Sequence, residues 1–69
     1  MAENKYVGFV ISKLELDEDA GIYEYWVKMP NRKIEVFKVK TANIRVGNKV
    51  EVAEVEKDGE TKLKIVRIL

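Results

Sequence analysis

Apolar side chains recur at every second position along most of the chain, which is the pattern of strands with one buried face. Residues 6–16 read Tyr-Val-Gly-Phe-Val-Ile-Ser-Lys-Leu-Glu-Leu, rich in β-branched and aromatic residues and long enough for a bent strand. Gly8 inside this run predicts a bulge or a point where another backbone passes close. Residues 17–21, Asp-Glu-Asp-Ala-Gly, form a polar turn, and residues 22–29 read as a second strand. Pro30-Asn31-Arg32-Lys33 is a tight connection into a third strand over 34–40. Residues 41–48 are irregular, with room for a single helical turn. A fourth strand over 49–56 leads to Asp58-Gly59, a strong hairpin signal because both residues tolerate positive φ, and a fifth strand follows over 61–69. No window holds a 3.6-residue apolar period for three turns, so no long helix is expected.

The phase of the pattern adds curvature. Ala53 and Val55 are out of step with Val50 and Val52, and Leu63 and Ile65 are out of step with Val66 and Ile68. Strong bending with bulges accounts for this better than a flat sheet does. Five short strands leave unpaired edges, and curling into a small barrel removes that liability. The 69 residues leave room for one domain, expected over 5–69 behind a disordered tail at 1–4. A chain this short buries only about 60% of the surface its unfolded form exposes, so its core is modest.

Three segments carry a resemblance. Tyr6-Val7-Gly8-Phe9-Val10 resembles the opening strand of initiation-factor-one-type and cold-shock-type domains. Residues 25–32, Tyr-Trp-Val-Lys-Met-Pro-Asn-Arg, resemble their second strand and turn. Val46-Gly47-Asn48-Lys49-Val50-Glu51-Val52 resembles their entry to the fourth strand, with Asn48 where Asp is usual. The chain therefore resembles the oligonucleotide/oligosaccharide-binding (OB) fold over nearly its whole length. The resemblance implies an all-β, five-stranded OB-like barrel whose usual helix is reduced or absent. The Val-Gly entry recurs in SH3-like barrels, which stay open as the alternative.

Composition excludes much chemistry. There is no Cys and no His, so disulfides, thiolate metal sites, zinc fingers and imidazole bases are ruled out. Ser12 is the only serine and has no base partner, and the four glycines are scattered singly rather than forming a phosphate cradle. Asp17, Glu18 and Asp19 share one turn but lack the ligand spacing of a calcium loop. No catalytic residue, metal site or cofactor is expected, and the chain reads as a non-enzyme. It has no apolar run of 18 residues and no signal peptide, so no membrane association and a cytoplasmic location are expected. Ten Lys and nine Glu with no Gln, Cys or His give the chain a thermophile-like composition.

The formal charge of +1 conceals a sharp division. Residues 15–24 hold five acids and no base, whereas residues 28–49 hold seven bases (Lys28, Arg32, Lys33, Lys38, Lys40, Arg45 and Lys49) and one acid, Glu35. Local rather than net charge attracts phosphates, so the basic strip is a candidate nucleic-acid surface. With a two-residue Asn31-Arg32 turn, Trp26 would face Phe37 beside Lys28, and Val27, Met29, Ile34 and Val36 would form the core. Exposed aromatic faces flanked by cations suit single-stranded nucleic acid, whose bases stack on them. In the opposite facing Trp26 and Phe37 would form the core and Tyr23, Tyr25, Lys38 and Lys40 would face solvent, and a longer turn would switch one strand relative to the other. The reading is a binder of single-stranded DNA or RNA with little sequence preference, through Trp26, Phe37 and the seven cations. The alternative is a protein–protein module or homodimer built on the same apolar patch or on the edge strand ending at Leu69.

Overall fold

Five strands make up most of the computed structural model, whose description covers residues 4–69: β1 (Lys5–Asp17), β2 (Ile22–Lys28), β3 (Ile34–Val39), β4 (Lys49–Lys57) and β5 (Glu60–Ile68). Each lies within one residue of the bounds read from the alternation. The protein is all-β: a five-stranded antiparallel sheet in the order β3-β2-β1-β4-β5, with no helix among the described residues. β1 is the shared strand. Its first part, Lys5 to Phe9, pairs with β4, and its longer remainder, Phe9 to Asp17, pairs with β2.

The curvature has identifiable causes. β1 carries extra residues at Ile11 and Leu16 relative to β2, and β5 carries one at Val66 relative to β4. Each is a bulge that re-aims the side chains beyond it. The bulge at Val66 explains why Leu63 and Ile65 pack towards the core while Val66 faces solvent. Gly8 lies where β1 passes from one partner to the other. A methyl group there would sit 2.4 Å from Val27 Cγ1 and 3.2 Å from the Lys28 carbonyl oxygen. Only a residue without Cβ allows that approach. Asp58 and Gly59 adopt φ of 54° and 77° between the paired Lys57 and Glu60, the two-residue primed turn that the dipeptide predicts.

One core serves the whole domain. Val10, Tyr25, Val27, Met29, Phe37, Ile44, Val50 and Val52 are buried together, with Leu63 and Ile65 of β5 packed against them. Residues 41–48 do not form the helical turn for which they had room. They run extended into a turn closed by Asn48 N–H on the Arg45 carbonyl (3.0 Å), with the Asn48 side chain accepting from Arg45 N–H (2.8 Å). Ile44 fills the core from this segment, and reciprocal bonds from Val10 N–H to Asn48 O and from Gly47 N–H to Val10 O fasten it to β1. No ladder joins β3 to β5 among the described residues. A groove of about 320 Å³ lies along that seam, walled by Val39, Ile44 and Ile65.

The disordered tail expected at residues 1–4 falls, for 1–3, outside the described residues. Asn4 itself is held: its carbonyl accepts from Glu54 N–H (2.9 Å) and its side-chain amide donates to Glu54 Oε2 (3.2 Å).

Candidate nucleic-acid interface

The register between β2 and β3 decides which aromatic residues face outward. Arg32 N–H donates to the Met29 carbonyl (2.9 Å), Met29 N–H donates to the Lys33 carbonyl (2.8 Å), and Arg32 has φ 70°. The connection is thus a three-residue loop, Pro30-Asn31-Arg32, a tight turn followed by a left-handed residue. Asn31 Oδ1 braces it by accepting from Lys33 N–H (3.0 Å). Compared with the two-residue turn expected, β3 slips by one position, and a one-residue slip moves every side chain of a strand to its other face. Trp26 pairs with Val36 and stays outside, 41% exposed. Phe37 pairs with Tyr25 and turns inward, only 7% exposed. Phe37 is a core residue, not a stacking surface, and Ile34 and Val36 face outward in its place.

The Tyr23/Tyr25 alternative fails too. Tyr25 is fully buried and its hydroxyl donates to the Thr41 carbonyl, while burial pushes its pKa up. Lys13 Nζ lies 5.0 Å from the Tyr23 ring centroid and 5.7 Å from that of Tyr25, and donates to the Ala42 carbonyl (2.7 Å). This cation is committed to holding the 41–48 segment against β1 and β2.

The outward face of β1, β2 and β3 carries a second aromatic residue that the charge-strip reading did not single out. Phe9 is 48% exposed and lies in register with Lys28 of β2 on one side and Lys49 of β4 on the other. Lys49 Nζ stands 5.6 Å from the Phe9 ring centroid, within cation–π range. Arg32, held in its turn, completes an open groove of about 570 Å³ lined by Val7, Phe9, Lys28, Met29, Pro30, Arg32 and Lys49. Three cations line it and no carboxylate does. The ion pairs among the described residues are those of Glu51 with Lys5 and Arg67, and neither involves the groove cations. A sequence signal for Phe9 did exist. With Gly8 and Val10 turned inward, alternation places Phe9 outside, next to the strand that Lys49 begins.

Of the seven cations expected to form one track, Lys28, Arg32 and Lys49 come together here. Lys38 lies on the same outward face but further along, directly across from Glu24. Lys33 follows the turn opposite the inward Met29, and Lys40 and Arg45 belong to the β3–β4 connection; all three are exposed but do not line the groove. Trp26 is less free than its exposure suggests, because its indole Nε1–H donates to Glu24 Oε1 (2.7 Å). Beyond Glu24 comes the β1–β2 turn with Asp17, Glu18 and Asp19, where Asp17 Oδ1 caps Ala20 N–H (3.1 Å). The face is therefore positive at Phe9, balanced where Glu24 meets Lys38, and negative only at the β1–β2 turn.

A smaller cavity of about 230 Å³ lies between Tyr6, Met29, Glu35, Glu54 and Leu63. Tyr6 donates its hydroxyl to Glu54 Oε1 (2.6 Å). That bond raises the tyrosine pKa and, with the Asn4 amide, lowers that of the carboxyl. No group of three or more Asp or Glu side chains suited to a metal ion occurs among the described residues, and no helix among them is long and apolar enough to cross a membrane. No family model, curated protein or solved structure matches the chain.

Proposed function

We propose that this protein binds single-stranded DNA or RNA, without catalysis and with little sequence preference, through the outward face of β1, β2 and β3. The observation that carries the reading is Phe9, a half-exposed ring set in register between Lys28 and Lys49 with Arg32 beside it. A base can stack on the ring while the cations neutralise its phosphates, and stacking of this kind contributes about 1–3 kcal/mol per base. Trp26 offers a second ring on the same face. The strand order gives the fold reading its support: β1 lies between β2 and β4, and the β3–β5 seam is open, as in the partly open OB barrel. Strands two and three of that barrel bind oligonucleotides. The same reading places the protein in the cytosol.

A second reading has its own observation. Ile11, Leu14, Ile34 and Val36 surround Trp26 on this face and are all exposed, and aliphatic residues around an aromatic anchor also suit a protein interface or homodimer.

Trp26 is the single tryptophan and so a one-site reporter. Oligo-dT or oligo-U added at about 50 mM salt should change its fluorescence, and added salt should reverse the change. Absence of any response, together with a sedimenting dimer whose Trp26 is shielded from quenchers, would establish the interface reading instead.

A further inference from the structure

We infer that the site accepts only a short single-stranded segment, about two to three nucleotides, anchored at Phe9 and ending just past Trp26. This rests on the nucleic-acid reading above and adds the length and base spacing of the bound strand. Three observations combine. The groove cations Lys28, Arg32 and Lys49 gather at one end of the face, drawn from β2, the β2–β3 turn and β4. Trp26 lies two residues along β2 from Lys28, which is about 7 Å at the rise of a strand. The next outward pair along β2 and β1 is Glu24 with Leu14, and after it comes the turn bearing Asp17, Glu18 and Asp19.

The spacing sets the conformation of the ligand. Phe9 is in register with Lys28, so it and Trp26 are diagonal neighbours on adjacent strands, about 7–8 Å apart at the backbone and about twice the ~3.4 Å separating stacked bases on one strand of a duplex. Neighbouring bases on Phe9 and Trp26 must therefore be unstacked from each other, each lying on its own ring, which a paired duplex cannot offer. The acids set the end. A phosphate chain continued past Trp26 meets Glu24 with Lys38 directly across from it, a pair of no net charge, and then Asp17, Glu18 and Asp19 with no facing base among the described residues, where like charge opposes extension. The seven-cation strip evident in sequence would instead hold a long strand. In the folded protein three of those cations line the groove and four do not.

These alternatives differ in salt dependence. Three neutralised phosphates give a slope of log affinity on log salt of about −2 for a single strand, or roughly a 20-fold loss between 50 and 200 mM. Seven would give about −5 and a loss on the order of 900-fold. The test measures anisotropy of end-labelled oligo-dT of 2, 3, 4, 6, 10 and 20 nucleotides against the full chain. Affinity should rise steeply to about three nucleotides and then only in proportion to the number of binding registers, with a salt slope no steeper than about −2 at any length. Phe9→Leu, which keeps an apolar strand residue, should weaken binding about 5- to 150-fold at every length. Asp17→Asn/Glu18→Gln/Asp19→Asn should leave the three-nucleotide affinity unchanged and strengthen binding of the longer strands. A slope near −5, or affinity still climbing steeply to ten nucleotides, overturns the short footprint while leaving nucleic-acid binding intact. Failure of every length to bind overturns the functional reading itself.

Discussion

Replacing Gly8 with alanine is the sharpest test of how the site is held. The added methyl would lie 2.4 Å from Val27 Cγ1, roughly 1 Å inside ordinary contact, and Val27 is fully buried with Val10 and Val50 in the same core. Neither party can retreat cheaply, because Val27 is hemmed in by that core and the Lys28 carbonyl stands 3.2 Å away on the other side. Overpacking of this kind costs about 1–3 kcal/mol. Alanine also restricts the unfolded chain, which returns about 0.4–1 kcal/mol, so the net loss should be about 1–2 kcal/mol. For a domain of this size that lowers Tm by roughly 4–8 °C per kcal/mol. Urea unfolding followed at Trp26 reads the same loss as a lower midpoint at unchanged m-value. The paired variant Val27→Ala removes the atom that is struck. Alone it should destabilise, but combined with Gly8→Ala the two costs should fall short of additive by about 0.5–3 kcal/mol. If Gly8→Ala is as stable as the parent, or if the double variant is simply additive, the close approach is not what requires glycine there.

Three further outcomes follow from other residues. Phe37→Ala should cost about 3–5 kcal/mol in urea unfolding, whereas Phe37→Leu should fold and bind oligo-dT as the parent does; weakened binding by the folded leucine variant would return Phe37 to the interface. Arg32→Gly relieves a left-handed conformation that costs an L-residue about 1–2 kcal/mol, so stability should hold or rise while the salt slope of binding shrinks by about 0.7; an unchanged slope would remove Arg32 from the site. The Tyr6–Glu54 bond sets a pH dependence of known sign. Glu54 titrates below its ordinary 4.5, so its contribution is present above that pH and is lost as pH falls through the folded value. Tyr6 titrates above its ordinary 10.0, so its contribution is present below pH 10 and is lost as pH rises through the folded value. In Tyr6→Phe the Glu54 carboxyl midpoint, followed by NMR, should move up towards 4.5, and a midpoint that stays put would show the bond to be unimportant.

The strands were legible because their signals are local. Alternation, the Asp58-Gly59 turn and the out-of-phase residues of β5 each report on a few neighbours, and each appears where the pattern puts it. The β2–β3 turn was not legible for an equally physical reason. The left-handed position of a three-residue hairpin loop is usually marked by glycine or asparagine, and here an arginine occupies it, so nothing in Pro30-Asn31-Arg32 announces the extra residue. That single residue moved Phe37 from the surface to the core. Trp26 kept its place because β2 is anchored by Tyr25, Val27 and Met29, whose alternation does not depend on the turn. The candidate site was half legible. Its cations are conspicuous in sequence, but their grouping depends on β1 pairing with β4 across some forty intervening residues, which no local pattern encodes.

That pairing has a dynamic consequence. The β1–β2–β3 meander and the β4–β5 hairpin are each local units, and among the described residues the only ladder joining them is the short one between Lys5–Phe9 and Lys49–Ala53. Ladders between distant segments must offset the entropy of closing a long loop, so this one closes late in folding. Phe9 and Lys49 are the last rung of that ladder, so a strand bound across them would tie the two units together. Slow amide exchange along the β1–β4 rungs, rather than any change of shape, would then be the fullest record of occupancy.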